Sequence, residues 1–210
     1  MTITARNTAS KTDRRFRLPL LVVFCALLPA VGCHIDTHKD GNNDNVKIAT
    51  PFGGMSVKTN EAVVEGGVGL AVYPGAVLAK KDKDSGAADL NMSFGGFHLG
   101  VKALSYTTPD GPDKVMAFYR KDMAHFGSVI LCRGNRAIGT PDHTQDGLSC
   151  NKDHSNVHFS DDASDDELKA GSKQHQHIVS IKGEGSGTRI GLVALDLPGR
   201  MGSNGDDEKD

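Results

Sequence analysis

Residues 174–197, QHQHIVSIKGEGSGTRIGLVALDL, decide the fold of this chain. Two strand-length stretches, 174–182 and 188–197, flank the glycine-rich segment Gly183-Glu184-Gly185-Ser186-Gly187. Runs of this length on either side of a short segment containing glycine are typical of a β-hairpin. The stretch therefore predicts two neighbouring antiparallel strands joined by a short turn.

The same kind of pattern recurs upstream. Apolar and polar residues alternate at 46–50 and 55–58, around Pro51-Phe52-Gly53-Gly54, and again at 88–94 and 101–106. Alternation with a period of two predicts strands that have one buried and one solvated face. The 25 glycines and the absence of Trp also favour short strands and many turns over a helical bundle.

One segment predicts a helix. Its apolar residues recur at spacings of three or four and form a single stripe: Val115, Phe118, Tyr119, Met123 and Phe126. Asp110 is the predicted N-cap, Pro112 lies in the first turn, and Gly127 is the predicted C-cap. The sequence therefore predicts an α+β fold, with one main amphipathic helix packed on a twisted, mostly antiparallel β-sheet.

Charge divides the chain into two parts. The formal net charge is -2 at pH 7, which excludes a strongly basic nucleic-acid binder, so no nucleic-acid partner is expected. The first 32 residues contain five basic residues and one acidic residue, whereas the rest contain 19 basic and 25 acidic residues. A basic leader therefore precedes an acidic domain.

The leader has the features of a secretory signal peptide. Residues 18–28, LPLLVVFCALL, form an apolar run that is too short for a bilayer-spanning helix, which needs about 20 residues. The run follows a basic cluster that ends at Arg17, and small residues follow it at the cleavage positions. Residues 1–32 are therefore predicted to be a signal peptide.

The end of the leader, Ala30-Val31-Gly32-Cys33, resembles the lipobox of bacterial lipoproteins. This resemblance implies that Cys33 is lipidated and becomes the first residue of the mature protein. His34, rather than Asp, follows the cysteine, a pattern that favours the outer membrane facing the periplasm over the inner membrane. The alternative is ordinary secretory cleavage at the same bond, which would release a secreted or periplasmic soluble protein.

Behind Cys33 the sequence predicts three further regions. Residues 33–45, with Ile35 as the one large apolar residue, are predicted to comprise the lipidated cysteine and a flexible tether. Residues 46–197 are predicted to form a single α+β domain. Residues 198–210 are predicted to be a disordered acidic tail.

The mature domain carries a second resemblance. Tyr73-Pro74-Gly75-Ala76, followed by Thr108-Pro109-Asp110 and by Lys114-Val115 with Phe118-Tyr119, is similar to a group of uncharacterised exported bacterial proteins with a YPGA turn and a D-x-P-x-K-V-x-x-F-Y helix. The order of strands and helix also resembles the helix-grip modules of outer-membrane assembly lipoproteins. These resemblances imply an exported domain and assign no site residue.

Two of the four cysteines remain after Cys25 leaves with the leader and Cys33 is acylated. Cys132 and Cys150 are predicted to form a disulfide in an oxidising compartment. The same cysteines, with His154 and His158, could instead provide a zinc ligand set, although 17 residues separate the two sulfurs. The disulfide and the zinc site exclude each other.

His175 and His177 stand two residues apart on a predicted strand, so they share a face. Together with the acidic residues at 161–167 they form a candidate site for a divalent ion; the alternative is a solvated strand beside a polar loop. Catalytic, P-loop and dinucleotide motifs are missing, and no cofactor is expected.

The functional prediction is an exported, lipid-anchored cell-envelope protein with a non-catalytic binding or assembly-support role. Its partners would be the membrane, through the lipid, and an envelope protein or polymer. The alternative is a periplasmic metal-binding protein that uses His154, His158, His175 and His177.

Overall fold

A computed structural model describes residues 33–40, 43–79, 86–150 and 165–199 of the chain. The predicted signal peptide and most of the predicted acidic tail lie outside these residues. Eleven strands of the described residues join in one antiparallel sheet. In chain order they are β1 (His34–Asp40), β2 (Asn43–Thr50), β3 (Gly53–Lys58), β4 (Val77–Leu78), β5 (Ala87–Phe94), β6 (Phe97–Thr108), β7 (Ile130–Arg133), β8 (Arg136–Ala137), β9 (Asp166–Gly171), β10 (His175–Glu184) and β11 (Gly187–Asp196).

The sheet has the strand order β1-β2-β3-β5-β6-β11-β10-β9-β7-β8, and β4 pairs with β6 beside this path. The C-terminal hairpin lies near its centre. β10 and β11 pair from His175 opposite Asp196 to Glu184 opposite Gly187, so the turn contains two residues instead of the predicted five. Gly185 in this turn has a φ of +59°, a conformation that glycine adopts without strain.

Within the described residues, two short helices accompany the sheet. Helix α1 (Glu61–Val68) begins at Asn60, whose side chain accepts a hydrogen bond from the Val63 amide at 3.2 Å, and it ends at Gly69 in a left-handed conformation. Helix α2 (Pro112–Asp122) is followed by a 3-10 turn over Met123–Phe126.

The predicted α+β fold with one main amphipathic helix is wrong, because the described chain is mostly one large antiparallel sheet with two short helices. The predicted helix is shorter than its apolar stripe, since the α-helical part ends at Asp122. Gly111, rather than Asp110, occupies the N-cap position, and no side chain caps the helix there. The sheet in turn contains strands at both of its edges that the sequence did not predict.

The N-terminal edge of the sheet differs from the predicted tether. Residues 34–40 form β1, which pairs with β2 along its whole length from His34 opposite Ala49. Backbone hydrogen bonds hold this edge strand, so it needs few large apolar side chains. Asp36, whose carboxylate lies 3.1 Å from His34 Nε2 in an exposed contact, places a charged side chain on this edge.

Both helices pack on one face of the sheet. The buried residues of this cluster include Val64, Val68, Leu104, Tyr106, Val115, Tyr119, Met123, Leu168, Val179, Ile190 and Leu192. A second cluster lies on the opposite face, where Ile178, Val193 and Leu195 are buried against Val101, Ala103 and Leu197.

Part of the sheet extends past its central strands. β11 ends at Asp196, opposite Gly100, whereas β6 begins at Phe97 and pairs there with β5. The part of β6 before Gly100 therefore extends about 10 Å beyond the end of β11, at about 3.3 Å per residue. We call this part of the sheet the wing: β1, β2, β3, residues 90–94 of β5 and residues 97–101 of β6.

Candidate functional site

Cys33, the predicted lipidation residue, lies at the outer end of the wing. It is an exposed free cysteine that directly precedes β1. Because His34 pairs with Ala49, Cys33 lies at the same end of the sheet as the β2–β3 turn, which contains Phe52. The β5–β6 turn reaches this end as well, and the Gly95 amide donates to the Phe52 carbonyl.

The strand register gives the wing one apolar and one polar face. Ile35, Ile48, Met55, Met92 and Leu99 form a continuous row across β1, β2, β3, β5 and β6. Positions two residues away on each strand lie on the same face. We call this set the apolar wing face: Ile35, Val46, Ile48, Met55, Val57, Leu90, Met92, Phe94, Phe97, Leu99 and Val101. Thr37, Thr50 and Gly53 complete its rows, and Asp44 lies on the same side at the end of β2 away from Cys33.

The opposite side of the wing is polar. The intervening rows contain His34, Asp36, Asn45, Lys47, Ser56, Asn91, Ser93 and His98. Both helices pack on this side of the sheet, since Leu104 of their core cluster shares its face with His98. The apolar wing face is therefore on the side away from α1 and α2. Ile35 is 63% exposed and Phe94 44%, while Phe52 in the adjoining turn is 82% exposed.

Cys132 and Cys150 are joined in the predicted pair. Their Cα atoms lie 5.5 Å apart with the sulfurs bonded, and both residues are buried against Ile130. A zinc site that uses these two thiolates is incompatible with this disulfide. The other predicted ligands of that site, His154 and His158, lie outside the described residues.

His175 and His177 occupy different environments on β10. His175 Nδ1 lies 2.8 Å from Asp196 Oδ1 in an exposed pair. The His177 ring stacks on Phe126 of the 3-10 turn, with 3.5 Å between ring centroids and 13° between planes, and forms a hydrogen bond to the Val68 backbone.

Burial lowers the pKa of His177 below its ordinary value, and its Nδ1 has no hydrogen-bond partner within the described part of the chain. Over residues 33–40, 43–79, 86–150 and 165–199, no group of three or more His, Cys, Asp or Glu residues is arranged to hold a metal ion. The His175–His177 pair therefore gains no third ligand among these residues.

Asp110 connects three elements, a role that the predicted N-cap position did not reveal. Its carboxylate accepts a hydrogen bond from the Tyr73 hydroxyl at 2.6 Å and pairs with Lys114 at 2.9 Å. Its backbone carbonyl accepts from the Thr188 hydroxyl at 2.7 Å. The bond from Tyr73, and then the one from Lys114, holds the pKa of Asp110 below its ordinary value. Asp110 thus connects the start of α2 to Tyr73 and, through Thr188, to β11 of the sheet.

No helix within the described residues is long and apolar enough to cross a membrane. No protein-family model, curated protein or solved structure matches the chain. The lipobox and the YPGA-type pattern therefore remain resemblances in short motifs, and function is argued from the chain's own residues.

Proposed function

We propose that this chain is an exported cell-envelope lipoprotein, anchored by acyl chains on Cys33, whose β-sheet domain binds or supports another envelope component. The observation that carries the proposal is the position of Cys33. It follows the basic and apolar leader directly and is an exposed free thiol at the start of an edge strand. An acylating enzyme can reach such a thiol without unfolding the sheet.

The remaining cysteines agree with this assignment. Cys132 and Cys150 are buried in a disulfide, a state that persists in oxidising compartments such as the bacterial periplasm. One lipid-modified cysteine and one structural disulfide account for every cysteine outside the leader.

Metabolic labelling with palmitate tests the anchor directly. Wild-type protein should carry the label and sediment with membranes, because its acyl chains partition into the bilayer. Cys33→Ser should lose the label and leave the membrane fraction. Cys25→Ser is the matched control, since it removes a leader cysteine outside the lipobox, and it should be labelled normally. Unlabelled wild-type protein that is cleaved before Cys33 and recovered in the soluble fraction would overturn the anchor in favour of plain secretion.

The binding role needs a separate measurement. Photo-crosslinking from the exposed polar side of the wing in intact cells should capture a defined envelope protein or polymer. We expect one predominant crosslinked species that is retained in Tyr106→Phe, a core substitution remote from the wing. Crosslinks absent from every polar-face position, together with no binding of purified protein to isolated cell-wall polymer, would refute a binding role for this side.

A further inference from the structure

We infer that the apolar wing face rests on the lipid bilayer into which the Cys33 acyl chains insert, so that the protein has a membrane-contacting surface in addition to its anchor. This inference rests on the proposed function for the anchor and goes beyond it in assigning an orientation. It commits the apolar wing face to one partner, the surface of a bilayer.

The first observation is the division of residues between the two sides of the wing. From the row of Val46 to the outer end of the wing, the apolar side holds no charged residue, and Asp44 lies beyond these rows on β2, whereas Asp36 and Lys47 occupy the polar side between them. Five strands spaced about 4.8 Å apart make this face about 20 Å wide. Contiguous apolar surface of this kind marks a binding surface in soluble proteins.

The second observation is the position of Cys33. Its acyl chains would leave the protein at the wing's outer end, which also contains Phe52 in the β2–β3 turn and, three and four strands across the sheet, the paired residues Phe94 and Phe97. No tether separates Cys33 from β1, which begins at the next residue. An anchored bilayer therefore lies within one strand's length of the whole apolar wing face.

The third observation is the placement of the helices. α1 and α2 pack on the opposite side of the sheet and leave the apolar wing face free of both. Over the rows from Val46 to its outer end the wing has one apolar and one charged side, which makes it the sheet counterpart of an amphipathic helix that lies in the membrane interface. The phenylalanines at its outer end are of the type that interfacial elements bury at the boundary between headgroups and acyl chains.

Residues 35 and 36 provide a matched pair for the test. They are neighbours at almost equal distance from the anchor, Ile35 is 63% exposed and the Asp36 side chain is 63% exposed, but they lie on opposite faces. In the mature protein, which lacks Cys25, with Cys33 acylated and Cys132 disulfide-bonded to Cys150, a cysteine introduced at either position is the single free thiol. It can then carry a fluorescent NBD label.

The experiment measures quenching of this label by nitroxide lipids in phosphatidylethanolamine–phosphatidylglycerol vesicles that contain the full mature protein. The label in Ile35→Cys should enter the headgroup boundary, about 5–10 Å deep, and be quenched at least about twofold more than the label in Asp36→Cys. Phe94→Cys and Ser93→Cys form a second pair with the same expectation, which covers the case in which a variant at 35 or 36 does not fold.

Equal quenching on the two faces, or stronger quenching on the polar face, would overturn the inference. A label at 35 that is shielded but insensitive to nitroxide lipids, in a particle of doubled mass, would also overturn it and assign the face to a second copy of the chain.

The anchor is tested separately by palmitate labelling. The quenching measurements on both pairs of labelled variants are also repeated in Cys33→Ser protein added to vesicles. If wild-type protein takes up no palmitate and the Cys33→Ser pairs are still quenched face-selectively, the inference is supported and the anchor is refuted. Palmitate on Cys33 together with equal quenching on the two faces would support the anchor and refute the inference.

Discussion

Replacing tyrosine by phenylalanine should raise the free energy of unfolding at one position of the chain and lower it at another. Tyr73, Tyr106 and Tyr119 are all buried in the cluster between the helices and the sheet. The Tyr106 hydroxyl has no hydrogen-bond partner within the described residues. Burial raises the pKa of Tyr106 to about 12, and the nearby Glu65 and Glu61 add to the shift.

Tyr106→Phe should therefore stabilise the protein. A buried hydroxyl without a partner costs about 1–3 kcal/mol, and the substitution removes it while keeping the ring. We expect the free energy of unfolding to rise by about 1 kcal/mol. With a urea m-value of about 2 kcal/mol/M, the unfolding midpoint should increase by about 0.5 M.

Tyr73→Phe is the control and should lower the midpoint, because the Tyr73 hydroxyl donates to the Asp110 carboxylate at 2.6 Å. Both variants can be followed by circular dichroism in urea at pH 7. A midpoint that falls in Tyr106→Phe as far as in Tyr73→Phe would refute the reasoning, since it would show that the Tyr106 hydroxyl makes a stabilising bond in solution.

Three further predictions concern stability. Replacing Cys132 and Cys150 together by Ser should lower the free energy of unfolding by about 3 kcal/mol, from the chain entropy of the 18-residue separation; an unchanged urea midpoint would contradict it. Burial keeps the pKa of His177 in the folded protein below the unfolded value of 6.5, so the unfolded state binds the proton first as the pH falls. The free energy of unfolding should therefore decrease as the pH drops below about 6.5. His177→Phe should remove this loss, which can be measured as the urea midpoint from pH 7.5 to 5. Lys169→Met should lower the free energy of unfolding by about 3 kcal/mol, because it removes one partner of a fully buried ion pair in which Lys169 Nζ lies 3.4 Å from Glu167 Oε2. Adding Glu167→Gln should recover part of that loss. A double variant less stable than the single one would refute this account.

The hairpins were predictable because each strand carries its own local pattern. β10 and β11 follow from two strand-length stretches on either side of a glycine-rich segment, and Gly185 supplies the positive φ that the turn requires. The disulfide was predictable from the redox compartment implied by the leader. The stacking of His177 on Phe126 was not, because it joins β10 to the 3-10 turn and depends on how α2 packs on the sheet.

Helix α1 shows a different limit of sequence reasoning. Its eight residues include Gly66 and Gly67, which disfavour a helix by about 1 kcal/mol each relative to Ala. Its end signals are nevertheless present, since Asn60 caps the first turn and Gly69 adopts a φ of +73° after the last. Packing of Val64 and Val68 on the sheet offsets the low propensity, and this tertiary contribution does not appear in a local window.

The wing shows why average composition misled the prediction for residues 33–45. A low count of large apolar residues indicates disorder when a segment must bury its own surface. An edge strand has no such requirement, because its neighbour provides the backbone partners and only every second side chain faces the apolar side. In β1 that side receives Ile35, and β2, β3, β5 and β6 supply the rest of the row. The segment that reads as a tether by composition is therefore the strand that brings Cys33 to the apolar wing face, and this places the proposed anchor and the proposed membrane surface at one end of the sheet.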